Sequence, residues 1–170
     1  MKLIRQILRA ALALACATTV FAAVPTPEEL AKLGKAADNK ILAQKLVNEQ
    51  MAKHPGELLV FGLHAVPPGK KEQQMIACNL DRIGKADDED DIAVFAERKT
   101  ILVPNKTETF KFEVQLPLKD AAGNVVGATG IVFKYAAGDD EVKLLIKATA
   151  IRDEIAKKIA NHAALFKAAK

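Results

Sequence analysis

His64 and Cys78 are the nearest approach to a nucleophile and its base that this sequence offers. A hairpin that returns after His64 sets Cys78 opposite it or one diagonal away, within reach of a thiolate and an activating imidazole. The competing reading is a small, buried, apolar cysteine. The chain contains no serine, which removes serine hydrolase chemistry and the nucleophile elbow, and no C-x-x-C-H, which removes that form of covalent haem attachment. Asp87-Asp88-Glu89-Asp90-Asp91 is a run of five acids whose charge suits calcium. It lacks the alternating ligands and central glycine of the common calcium loop, so it reads as a helix N-terminus, where the macrodipole favours acids. His54 and His162 have no ligand spacing. No catalytic residue, metal or cofactor is assigned, and the chain is read as a non-enzyme.

A second set of polar residues stands on strands. Phe110, Phe112, Val114, Leu116 and Leu118 alternate with Lys111, Glu113, Gln115 and Pro117, giving one bulky apolar face and one polar face. If Lys119 pairs with Asn124, then Lys111, Glu113 and Gln115 lie beside Val132, Gly130 and Ala128. Polar side chains next to small ones leave room for a pocket, although an antiparallel sheet wet on one face gives the same pattern. The apolar segment Leu58 to Val66 divides similarly: Leu59, Phe61 and Leu63 on one side, Val60, Gly62, His64 and Val66 on the other, joined there by Ile76 and Cys78 of the returning strand.

The elements that must carry these residues follow from local signals. Thr26-Pro27-Glu28-Glu29 is a helix start, and apolar residues recur at helical spacing until His54-Pro55-Gly56, which predicts a helix over 27–53. Strands are expected over 58–66 and 74–79, a short helix resting on Ile92 and Phe95 within 80–99, and an edge strand over 101–104, where Pro104 donates nothing to a ladder. A hairpin over 109–118 and 124–135 turns at Asp120-Ala121-Ala122-Gly123, which suits a type I turn closed by a glycine bulge. Gly138-Asp139-Asp140 then opens a helix whose apolar positions run from Val142 to Phe166. The fold class is α+β: a central antiparallel sheet of about five strands with long N-terminal and C-terminal helices.

The first 22 residues read as a signal peptide, with Lys2, Arg5 and Arg9 ahead of the apolar stretch Ala10 to Ala15 and a small-residue exit at Val20-Phe21-Ala22. Cys16 as a lipidated first residue is the alternative. Residues 23–170 form the expected single domain, periplasmic or secreted and without a membrane span. Losing the leader lowers the formal charge from +4 to about +1, so no basic footprint for nucleic acid remains. Cys78 becomes the only mature cysteine, and an internal disulfide is impossible.

The order of helix, strand pair, connector helix, three strands and closing helix resembles the single Cache domain, the extracytoplasmic relative of the PAS fold. The resemblance is carried by Met75-Ile76-Ala77-Cys78-Asn79 running into Ile83-Gly84-Lys85, and by Leu116-Pro117-Leu118-Lys119-Asp120 running through Gly123 and Val125-Val126-Gly127 to Gly130-Ile131-Val132-Phe133. It implies a small-metabolite pocket over the sheet, contacted by His64, Cys78, Asn79 and Arg82, with Lys111, Glu113 and Gln115 across from them. The chain has no transmembrane helix or signalling domain to carry a receptor role, so a freestanding exported sensor for a small-molecule ligand is expected. Two alternatives stay open: a structural or interaction module that meets a protein partner or a second copy through the long helices, and a thiol- or metal-dependent enzyme.

Overall fold

The computed structural model describes residues 40–169, so the predicted signal peptide and the first part of the predicted long helix lie outside the described residues. The elements are α1 (Leu42–Lys53), β1 (Leu58–Ala65), β2 (Gln74–Cys78), α2 (Glu89–Ala96), β3 (Ile101–Pro104), β4 (Lys111–Lys119), β5 (Val125–Lys134) and α3 (Glu141–Ala156), followed by a 3₁₀ turn over His162–Phe166. The five strands form one antiparallel sheet in the order β2-β1-β5-β4-β3. The architecture is α+β, and β3, with its proline, lies at an edge as expected. No helix of the described residues is long and apolar enough to cross a membrane.

One face of the sheet packs on α1 and α3. Phe61, Phe112, Phe133, Leu63, Leu118 and Ile131 are fully buried there against Leu46, Val47, Ile151 and Ile155. Truncating any of the three phenylalanines to alanine would cost about 3–5 kcal/mol. The opposite face lies under α2, which contacts β4 and β5. The β4 positions Lys111 and Gln115 are therefore buried, and the polar face is a covered one rather than a wet one.

Both long helices are shorter than the apolar periodicity indicated. Ile41 is extended, bridges Ala168 and leaves α1 to begin at Leu42, whose N–H donates to Lys167 O at 2.8 Å. A continuous helix over 27–53 is thus excluded by the C-terminal segment lying across its path. The closing helix ends at Ala156, after which Ile159 O accepts from Ala121 N at 2.8 Å and Asn161, extended, caps the 3₁₀ turn. Ile159 and Leu165 still enter the core, so the periodicity reported burial but not helix continuity. In α2 the buried residues are Asp91 and Val94, while the expected contact Ile92 is half exposed, because the Asp91 carboxyl turns toward the sheet.

Three ladder irregularities decide which side chains share the polar face. A shift between Leu58 and Val60 turns Leu59, expected with Phe61, into a small cluster with Val60, Met75, Cys78, Leu80 and Val132. At the second, between Leu63 and His64, Ile76 packs in the helix-side core, and Met75 rather than Ile76 or Cys78 stands opposite His64. The third lies at Val126, which the β4–β5 ladder passes over between the Leu118–Gly127 and Lys119–Val125 pairs, in addition to the predicted glycine-closed turn of that hairpin. Gly123 N donates to Asp120 O at 3.0 Å, Gly123 has φ +86°, and Lys119 pairs with Val125. The ladder is displaced by two residues from the expected one: Lys111, Glu113 and Gln115 face Lys134, Val132 and Gly130. Two residues is one full side-chain period, so the division into faces survives.

Candidate functional site

Above the polar face is a cavity of about 120 Å³. Its floor is made by Val60, Gly62, Gly130 and Val132, and Met75, His64, Glu113 and Gln115 rise around it. Arg82, Lys85, Asp88 and Asp91 close it from the connector and α2. The two glycines create the space. A Cβ on Gly130 would lie 2.8 Å from Glu113 Oε1, and one on Gly62 would lie 3.3 Å from Met75 Cε and 3.4 Å from His64 Nε2.

His64 is positioned by the acidic run. Asp88 caps α2 as the sequence indicated, accepting from Asp91 N at 3.2 Å. The residues on either side of that cap turn inward: Asp87 Oδ1 is 2.7 Å and Asp91 Oδ2 is 3.6 Å from His64 Nδ1. The three ligand-capable atoms lie within 4.8 Å of one another. The Asp87 side chain is 1% exposed, and its other oxygen, Oδ2, has no hydrogen-bond partner among the described residues. Gln115 Oε1 is likewise buried without a partner.

These groups shift one another's protonation. Burial disfavours the charged His64 ring, but the Asp87 hydrogen bond and the charges of Asp91, Asp87 and Glu113 outweigh it and raise its pKa. Burial raises Asp91 to about 6; the His64 charge opposes this, and Asp88, Asp87 and Glu113 add to it. Burial also lifts Glu113, against the Gln115 hydrogen bond and the charges of His64 and Arg82. The cavity is thus a low-dielectric space in which acids and bases of both signs converge.

Of the residues singled out by sequence, His64, Arg82, Glu113 and Gln115 meet at this cavity. Cys78, Asn79 and Lys111 do not line it. Cys78 is fully buried opposite Gly62, its Sγ accepts from Leu80 N at 3.4 Å, and burial raises its pKa above the usual thiol range. Because His64 engages Asp87 instead, the proposed thiol–imidazole pair is not formed. Asn79 extends the β1 ladder, donating to Leu59 O at 3.0 Å and accepting from Phe61 N at 2.8 Å. Lys111 pairs with Glu108 at 2.8 Å, with its Nζ 5.2 Å from the Phe110 ring centre. Sequence reasoning did not bring Met75, Lys85, Asp88 or Asp91 to this cavity, and weighed the acidic run only as a calcium loop or a helix N-terminus. The acidic run carried no spacing signal for this, because Asp87 lies ahead of the Asp88 cap and only Asp91 is on α2.

A second, larger hollow of about 520 Å³ lies at the other end of β4, where Arg98, Lys119 and Arg152 approach Leu116, Val125 and Thr149. Arg152 Nη1 donates there to Pro117 O at 3.2 Å.

No protein-family model matches the chain, and no curated protein matches it by sequence. Among solved structures it is similar to the Agobacterium tumefaciens repressor BlcR, at 11% identity and TM-score 0.44 over 69% of this chain and 67% of that one. It is also similar to a domain of a putative transcriptional regulator of the IclR family, at 16% identity and TM-score 0.44 over 74% and 98%. A third likeness, at 15% identity and TM-score 0.43 over 74% and 96%, is to the C-terminal domain of the E. coli transcriptional regulator KdgR. At such identities and scores nothing about this chain's activity follows from them.

Proposed function

We propose that the chain is an exported, Cache-like binding module that recognises a small charged metabolite in the cavity over the His64 face of its sheet. The observation that carries this reading is the convergence of Arg82 and Lys85 with Glu113, Asp88 and Asp91 on a covered space floored by glycines. Charges of both signs at one cavity suit a zwitterion or a short carboxylate, because each pole of such a ligand meets an opposite partner. Drug-sized ligands occupy pockets of roughly 300–1,000 Å³, so a 120 Å³ cavity fits a ligand of few heavy atoms, such as a small amino acid, better than a purine. Export rests on the leader-like first 22 residues.

Thermal unfolding against amino acids, amines, carboxylates and purines, all with EDTA present, tests the reading. A ligand at about 100 times its Kd adds roughly 2.7 kcal/mol, or about 5–10 °C. Small zwitterions or carboxylates should give that shift; a flat panel would count against the pocket. A second reading, an interaction module, is favoured by Val142 and Ile146 of α3, each 64% exposed. Sedimentation that changes with concentration in the absence of ligand would support it.

A further inference from the structure

We infer that the His64 end of the cavity is a binding site for a first-row divalent cation such as zinc, with His64 Nδ1 and the carboxylates of Asp87 and Asp91 as its protein ligands. An ion pair that merely docks α2 on the sheet accounts for one of the contacts, Asp87 Oδ1 to His64 Nδ1 at 2.7 Å. It does not account for Asp87 Oδ2, a carboxylate oxygen buried without a partner, nor for Asp91 Oδ2, which at 3.6 Å is too far from the same nitrogen for a hydrogen bond. Metal ligands about 2.0–2.1 Å from a tetrahedral zinc stand about 3.3 Å apart, and the two observed separations flank that spacing. The three donor atoms lie within 4.8 Å of one another, and side-chain rotation that brings them to that spacing admits the ion.

The charge balance is also favourable. A divalent cation displaces the Nδ1 proton, and one neutral imidazole with two carboxylates then leaves the ion and its ligands neutral in a buried place. Imidazole with carboxylates is a donor set for zinc and its neighbours, whereas calcium and magnesium take oxygen ligands. Three protein ligands leave a further coordination position for water or a bound molecule. This inference does not depend on the metabolite reading, since the ion is tested alone.

The test uses protein stripped with EDTA, dialysed, and titrated with zinc chloride against a chromophoric zinc indicator, with cobalt(II) absorption as a second readout. Wild type should take up one zinc per chain and give the d–d bands of a low-coordinate cobalt site. Asp87→Asn and His64→Ala should each weaken zinc binding at least 100-fold, whereas Asp90→Asn, in the same acidic run but exposed, should leave it unchanged. Asp91→Asn gives an independent variant should either of those fail to fold, with circular dichroism checking each. Absence of stoichiometric zinc uptake by wild type would overturn the inference. So would binding that survives loss of His64, or that falls equally with Asp90→Asn, since that would be a diffuse acidic patch.

Discussion

Alanine at Gly127 and at Gly130, three residues apart on β5, should have very unequal consequences although the substitution is the same. A Cβ on Gly127 would stand 2.0 Å from the main-chain oxygen of His64 and 3.3 Å from Ala65 Cβ. Those atoms belong to β1, so relief requires the strands to part by an ångström or more next to the His64–Ala128 pair. Losing one buried ladder hydrogen bond at about 1–3 kcal/mol, plus about 1–3 kcal/mol of overpacking, gives about 2–6 kcal/mol of destabilisation. A Cβ on Gly130 instead meets the tip of the Glu113 side chain, with Oε1 at 2.8 Å and Cδ at 3.9 Å. That carboxylate can swing aside, and alanine recovers about 0.5–1 kcal/mol of backbone entropy, so Gly130→Ala should lie within about 1 kcal/mol of wild type. Equilibrium urea unfolding measures both, with m unchanged as the check on two-state behaviour. Equal costs for the two variants, or a Gly127→Ala protein as stable as wild type, would refute this account of the β1–β5 contact.

Gln44, fully buried on α1, donates to Cys78 O at 2.9 Å and accepts from Cys78 N at 3.1 Å, giving the edge strand β2 a partner. Gln44→Ala should cost about 2–4 kcal/mol and accelerate hydrogen exchange at the Cys78 amide. Cys78 itself should resist iodoacetamide in the folded protein and react once urea unfolds it; rapid native alkylation would contradict its burial. The Asp120 carboxylate accepts from Ala122 N, Asn124 N and Asn124 Nδ2 at 2.9, 2.9 and 3.1 Å, and these bonds, that of the Asn124 side chain foremost, lower its pKa. Its contribution to stability is complete above the ordinary aspartate value of about 3.9 and disappears as pH falls through the lower folded value. Urea midpoints measured from pH 5 to pH 2 should therefore fall less steeply for Asp120→Asn than for wild type.

Much of this architecture was legible because the decisive signals were local. The alternation of Phe112 to Leu118 fixed the two faces of β4, whereas Phe110, expected with them, precedes the strand and packs with the Val60, Met75 and Val132 cluster on the other side; the Asp120–Gly123 turn fixed the hairpin. The β4–β5 ladder could still be displaced, since Val126 beside a bulge has no sequence mark that distinguishes a pairing of Lys119 with Asn124 from one with Val125. Helix ends were misread where long-range contacts override propensity: Ile41 fits a helix until Ala168 pairs with it. At the site, His64, Glu113 and Gln115 were legible from side-chain period and small neighbours. Asp87 and Asp91 were not, because an acidic run before an apolar segment reads as a capping device, and only the tertiary approach of α2 to the sheet turns two of its members toward His64. The ladder shift at Ile76, also invisible in sequence, is what placed Met75 rather than Ile76 across from His64.

The proposal that the ligand occupies the His64 face is tested most directly by methyl NMR. Met75 lines the cavity, while Met51 packs with α1 on the opposite side of the sheet. With the methionine methyl carbons labelled and Met75 and Met51 assigned by Met75→Leu and Met51→Leu, a zwitterion or carboxylate that raises the unfolding temperature should move the Met75 resonance and leave Met51 in place. Glu113→Gln or Arg82→Ala should abolish the movement. A stabilising ligand that moves Met51 and not Met75 would place binding elsewhere and contradict the account.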